Sequence, residues 1–230
     1  MNERLLSGHC GGFPAVTMTG SRTVDRYALM FPVRAGSEEV VAELLSRCTA
    51  LPERGPETGW APLERTSVFM AGRVVVRVVD ITCPPSEAVQ HLAGQPRIQA
   101  LEQRLRPHLV HDRDATDEAR LRWFVATAVM RVASGNGRTG RLPRRAVLYE
   151  SLPGHAGELA RRLAGITVAS GGTTVFRRRD LVVHLIESDD EAPPVPLVGL
   201  VAPFARLARP MTLVTDLAVD AAVTAGSTRR

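Results

Sequence analysis

Two polar side chains interrupt strand-like faces that are otherwise aliphatic. One is Arg77, in Val74-Val75-Val76-Arg77-Val78-Val79, and the other is His184, in Leu181-Val182-Val183-His184-Leu185-Ile186. Side chains on a strand alternate between faces, so Arg77 shares a face with Val75 and Val79, and His184 shares one with Val182 and Ile186. The opposite faces are purely aliphatic and suit packing under helices. The faces carrying Arg77 and His184 are therefore expected to meet across a shared interior. A histidine titrating near neutral pH is a candidate general base. A permanently charged arginine is a candidate stabiliser of an enolate or phenolate. The alternative is structural: an arginine satisfied by a carboxylate and a histidine hydrogen-bonded to backbone, since a buried charge is costly unless paired. Phe69, Phe176, Trp123 and Tyr149 are candidate substrate-lining residues, with a place in the core as the alternative for each.

Other chemistry-bearing patterns are weaker. Gly135-Asn136-Gly137-Arg138-Thr139-Gly140 fits G-x-G-x-x-G, but Leu142-Pro143 and another strand follow it instead of a helix. Without a helix N-terminus to receive pyrophosphate, the segment reads as a linker. His108 and His111, followed by Asp112 and Asp114, lack a third firm metal ligand and fit a solvated helix end. No metal site is expected. Cys10, Cys48 and Cys83 are far apart and odd in number, which argues against a disulfide framework. Asp80 and Glu187 sit at strand ends and are expected to be exposed.

The elements that would position these residues come in a repeating order. Tyr27 to Val33 reads as a strand, and a helix follows from Ser37, an expected N-cap, through Leu45. Leu51 to Pro62 is a loop, and Leu63–Met70 with Arg73–Thr82 is a hairpin. A helix broken near Gly94 to Pro96 comes next, and then Trp123–Val132 as a fourth strand. Strand, helix, hairpin, helix and strand recur at Ala146–Leu152, His155–Ala164, Thr173–Glu187, Leu197–Ala208 and Met211–Val219. Thr66-Ser67-Val68-Phe69 matches Thr173-Thr174-Val175-Phe176 at an offset of 107 residues, and Asp80 matches Glu187 at the same offset. Gly36 matches Gly154 at an offset of 118. The pattern is an internal duplication of a β-α-β-β-α-β unit. It predicts an α+β fold of tandem ferredoxin-like repeats closing an intramolecular, pseudo-dimeric α+β barrel. The expected domains are a flexible tail at 1–24, repeat 1 at 25–132, a linker at 133–143, repeat 2 at 144–220 and a flexible tail at 221–230. The space between the sheets is the natural place for a small apolar ligand.

Composition narrows the function class. With 44% hydrophobic and 23% charged residues, the chain is neither disordered nor collagen-like. No run approaches the ~18–20 apolar residues of a spanning helix, and the first residues lack a signal-peptide core, so a cytoplasmic location is expected. The net charge of +5 comes from 29 basic residues, all of them arginine and mostly dispersed. With only 4% aromatic content, this does not point to nucleic acid.

The segments YALMFPVRAG, RTSVFMAGRVVVRVVDI and PPSEAVQHLAGQPRIQALEQRLRPHL, spanning Tyr27 to Leu109, resemble the SchA/CurD-like family. Members accompany type II polyketide synthases that make aromatic spore pigments and related antibiotics. They are similar to dimeric α+β barrel antibiotic-biosynthesis monooxygenases. The resemblance carries no catalytic motif. It implies a cofactor-independent monooxygenase that uses O2 to hydroxylate a polycyclic phenolic polyketide intermediate or convert it to a quinone. A polyketide cyclase or aromatase needs the same base and anion partner. A non-catalytic subunit binding the intermediate, an acyl carrier protein or other synthase and cyclase subunits is a third reading. The sequence leaves self-association open.

Overall fold

The computed structural model describes residues 24–47, 63–111, 117–135, 142–168, 171–190 and 198–218. Residues 1–23 of the expected N-terminal tail, the expected C-terminal tail, the loop at 51–62, Cys10 and Cys48, residues 136–141 of the expected 133–143 linker and residues 191–197 lie outside them.

Eight antiparallel strands close into a barrel in the order β1-β3-β2-β8-β5-β7-β6-β4. The strands are β1 (Asp25–Pro32), β2 (Leu63–Ala71), β3 (Val74–Ile81), β4 (Val129–Gly135), β5 (Arg144–Ser151), β6 (Gly171–Arg178), β7 (Leu181–Ser188) and β8 (Ala205–Ala218). Around the ring, β4-β1-β3-β2 in the first half corresponds strand for strand to β8-β5-β7-β6 in the second. The helices are α1 (Glu38–Ser46), α2 (Pro85–Ala93), α3 (Pro96–Leu105), α4 (Glu118–Ala128), α5 (Ala156–Ala164) and α6 (Val198–Val201). The expected break falls between α2 and α3, where Pro96 opens α3. Gly36 and Gly154, paired by the sequence offset, both adopt left-handed backbone, with φ of 80° and 78°. A side chain would be strained at either turn.

The apolar residues sort into an inner core and outer layers. The interior cluster takes Ala28, Met30, Phe69, Val76, Val78, Met130, Leu148, Phe176, Val183, Leu185 and Met211 from all eight strands and nothing from the helices. Outside the first half, Phe31, Val68, Met70 and Val75 pack under Val41, Leu44 and Leu45 of α1, Leu105 of α3 and Phe124 of α4. Outside the second half, Val147, Tyr149, Val175 and Val182 pack under Leu159 and Leu163 of α5. An eight-stranded barrel is narrow enough for its own side chains to fill, and here these apolar residues pack together in its interior.

Two expected elements differ. Trp123 to Val132 is not one strand: α4 runs to Ala128 and β4 begins at Val129. Helix and strand compete in short apolar runs, and here packing against β1, with Phe124 edge-on to Phe31 at 5.9 Å, selects the helix. Leu197 to Ala208 is not one helix either, because α6 ends at Val201 and β8 begins at Ala205. The early part of β8 is recruited by β5, with Ala208 opposite Tyr149 and Met211 opposite Ala146. As a result β8 has 14 residues and bridges β5 and β2, whereas β4 has seven and meets β1 through only Ala28↔Met130 and Leu29↔Val129.

Candidate functional site

The shared-interior placement of Arg77 and His184 is corrected by the structure. Val74, Val76 and Val78 point into the barrel with Leu181, Val183 and Leu185. Val75 and Val182, which share faces with Arg77 and His184, pack in the outer layers under the helices. The parity is inverted because a closed interior demands close-packed aliphatic side chains, and the helix-covered side has edges where a polar group can reach water. Arg77 and His184 thus lie outside opposite halves, with the packed barrel between them, and do not face one another.

Arg77 is half-buried between two apolar clusters on the outer face of the first sheet. Leu29 and Val68 flank it across the strands. The Phe31–Phe124 layer lies on one side. On the other side is a smaller cluster of Leu63, Ile81, Cys83 and Ala88, with Tyr27 and Val79 against it. Arg77 Nε donates to Thr66 Oγ1 at 3.0 Å, which fixes the guanidinium plane. Tyr27 lies opposite Val79, diagonal to Arg77 on the same face. Burial, then the Asp25 charge, pushes the Tyr27 phenol up, so it is a hydrogen-bond donor at neutral pH. The face therefore offers a fixed cation and hydroxyl donors beside aromatic and aliphatic side chains. That combination suits a planar molecule carrying negative charge.

His184 is sealed at 2% exposure, and burial pushes its pKa down to about 4. Its Nε2 has no hydrogen-bond partner among the described residues. A neutral imidazole under a helix layer is placed as core. Tyr149 is buried on the same side, and burial pushes its phenol up to about 12. Phe69 and Phe176 are fully buried in the barrel interior. Trp123 is 56% exposed on α4 and so lies outside the barrel interior.

His108 Nδ1 meets the Ser37 hydroxyl at 3.1 Å, and Asp112 and Asp114 lie outside the described residues. Ser37 precedes α1 but makes no side-chain cap, contrary to the expectation. Among the described residues no group of three or more His, Cys, Asp and Glu could hold one metal ion. No helix among them is long and apolar enough to cross a membrane.

One polar assembly was missed. Asp80 and Glu187, expected in solvent, are 3% and 1% exposed inside one end of the barrel. Arg26 donates to Asp80 at 2.7 Å, Glu187 at 2.6 Å and Thr174 Oγ1 at 3.0 Å. Arg144 donates to Glu187 at 2.9 Å, to Ser67 Oγ at 2.9 Å and to Asp80. Each arginine thus spans both carboxylates and a hydroxyl of the other half. Arg65 adds a two-pronged pair with Asp216, at 3.0 and 2.6 Å. Burial alone would raise Asp80, but the Arg26 hydrogen bond and the Arg144 and Arg26 charges hold its carboxyl below the ordinary range. Burial would likewise raise Asp216, and the Arg65 and Ser67 hydrogen bonds with the Arg65 and Arg144 charges overcome it. The signal was present in the sequence: Arg26 and Arg144 share the 118-residue offset of the two turn glycines, and Asp80 and Glu187 the 107-residue offset of the hairpins.

Comparison with known proteins gives the following. The SchA/CurD like domain is matched over residues 24–136. The chain is 36% identical to polyketide synthase CurD of Streptomyces cyaneus over 84% of this chain and 55% of that protein. It is 37% identical to protein SchA of Streptomyces halstedii over 72% of this chain and 46% of that one. The chain therefore spans about half the length of these curated relatives. Among solved structures it is similar to an anthrone oxidase-like protein, with a TM-score of 0.41, 10% identity, and coverage of 86% of this chain and 94% of that one.

Proposed function

Through residues 24–136 the chain belongs to the SchA/CurD-like domain family, and on that premise we propose that it is a tailoring enzyme of aromatic polyketide biosynthesis, a cofactor-independent monooxygenase acting on a polycyclic phenolic intermediate. The observation that carries this reading is Arg77, a cation fixed by Thr66 within an apolar, aromatic-bearing layer of the family-matched half. An electron-rich phenol or anthrone laid on that face would be held by Leu29, Val68 and the Tyr27 ring. The guanidinium would favour its deprotonated form, with the proton passing to solvent. The substrate carbanion supplies the electrons: a ring methylene becomes a carbonyl, one oxygen atom of O2 stays on carbon, and the other leaves as water. The protein's part is to hold the anion away from bulk water and to offset its charge.

We read residues 25–132 and 144–220 as tandem ferredoxin-like repeats, supported by the matching strand order of the two halves. The first repeat carries the substrate face. The second, with His184 sealed and neutral, completes the barrel. An acyl carrier protein or a synthase or cyclase subunit is the macromolecular partner this reading expects.

The test is purified protein with an anthrone or naphthacenone, in air and in nitrogen. Quinone formation that needs both protein and O2, and is lost in Arg77→Met, supports the reading. Ring closure of a poly-β-ketone under nitrogen would replace it with a cyclase or aromatase. No effect of the protein in either gas would replace it with a non-catalytic subunit.

A further inference from the structure

The charged end of the barrel has a symmetric part and an asymmetric part, and they do different work. The symmetric part pairs Arg26 with Arg144, Asp80 with Glu187 and Ser67 with Thr174, one of each from each half. The asymmetric part is Arg65 with Asp216. Arg65 stands opposite Asp80 in the β2–β3 ladder, and the residue opposite Glu187 in the β6–β7 ladder is Gly172. Asp216 stands opposite Ser67, and the residue opposite Thr174 is Gly135. The β4–β6 seam thus has two glycines, one from each half, where the β2–β8 seam has an ion pair. A side chain at Gly135 would press on Thr174, its Cβ 3.3 Å from Cγ2, so Thr174 would have to shift to admit one.

Either half presents a sheet face that could pair with its like in another copy, because the symmetric residues complement themselves. Counting charges separates the pairings. Among the described residues, unlike halves bring together three arginines, Arg26, Arg65 and Arg144, and three carboxylates, Asp80, Glu187 and Asp216. Two first halves would enclose four arginines and two carboxylates. Two second halves would enclose two arginines and four carboxylates. Uncompensated buried charge is strongly disfavoured, so only the unlike pairing is neutral.

We infer that the Arg65–Asp216 pair is the determinant that makes each barrel close between unlike halves and rejects a like half from a second copy of the chain. The symmetric residues attract without discriminating. Arg65 and Asp216 discriminate, and Arg65 also ties its guanidinium to the Leu142 carbonyl at 2.9 Å, at the entry to β5.

The experiment is refolding of the full chain from denaturant over a range of protein concentrations, read by size-exclusion chromatography with light scattering. The wild type should return as single chains throughout. Arg65→Gly with Asp216→Gly, which copies the glycines of the β4–β6 seam, should return with dimers and larger species whose share rises several-fold with concentration. Arg65→Gln with Asp216→Asn keeps side-chain volume and removes only the charges, and should behave alike if the glycine variant folds poorly. Thr174→Val removes a hydroxyl of the symmetric part that touches neither Arg65 nor Asp216, and should lower stability while remaining single chains. The inference is overturned if both double variants return as single chains like the wild type, if Thr174→Val associates as much as they do, or if the wild type itself refolds into dimers.

Discussion

Replacing Arg144 with methionine should expose how much of the barrel's stability rests on its charged end. The Arg144 side chain is fully buried, and its guanidinium touches Asp80, Glu187 and Ser67. Methionine keeps much of the volume, but Asp80 and Glu187 are left with Arg26 as the one arginine bound to both. Removing one partner of a buried ion pair costs about 3–5 kcal/mol, because the remaining charge stays buried and uncompensated. With a urea slope of about 2–3 kcal/mol/M, the unfolding midpoint at pH 7 should drop by about 1–2 M. The pH dependence has a definite sign. Asp80 is held below its unfolded-state value of about 3.9, so its contribution is complete above that pH and is lost as pH falls through the lower folded value. In the variant the carboxylates lose a cation and take up protons at higher pH, which relieves the uncompensated charge. The gap between wild type and variant should therefore narrow from pH 7 to pH 3.5. Urea titrations at several pH values, followed by circular dichroism, measure both quantities. A midpoint within about 0.3 M of wild type at pH 7, or a gap that does not change with pH, would refute the argument.

Arg77→Met should lower turnover of a phenolic substrate by about 10²–10³-fold with an unchanged circular dichroism spectrum, and turnover within threefold of wild type would remove Arg77 from the site. His184 should behave as a buried neutral residue. Its folded pKa of about 4 lies below the unfolded value of about 6.5, so its contribution is complete above pH 6.5 and about 3 kcal/mol is lost on acidification through pH 4. His184→Leu should flatten stability between those pH values without altering turnover, and an unchanged acid limb would contradict the assignment. Trp123→Ala, at an exposed position on α4, should leave stability within about 0.5 kcal/mol and the apparent KM within twofold. A larger KM change in substrate titrations would put the indole at the binding face.

The alternation of Val74 to Val79 and of Leu181 to Ile186 was enough to draw the strands, and the Gly36/Gly154 offset located equivalent turns in the two halves. Alternation alone does not say which face turns inward when both faces are covered. Polarity at Arg77 and His184 was a poor guide, because the inner face packs against seven other strands and the outer face has open edges. The run Trp123–Val132 is apolar in either conformation, and only packing on Phe31 decides that it begins as helix. Asp80 and Glu187 looked like solvent-facing strand ends because nothing local shows that Arg26 and Arg144 arrive beside them. Those contacts span from 43 to 161 residues of chain, beyond the reach of any local sequence window.

The long bridging strand has a consequence for the chain as it is made. β8 pairs with β2 on one side and with β5 on the other, so neither half has its full complement of neighbours until β8 exists. Arg65 waits for Asp216 across 151 residues, and at a translation rate of about 5–20 residues per second that is a delay of roughly 8–30 s. During that interval β2 presents an unpaired edge, and the inner face of the first sheet, with Phe69, Val76 and Val78, has nothing to pack on. The nascent chain therefore carries an exposed hydrophobic sheet on the ribosome until the strands of the second half follow, which makes β2 the segment where a chaperone would be needed first.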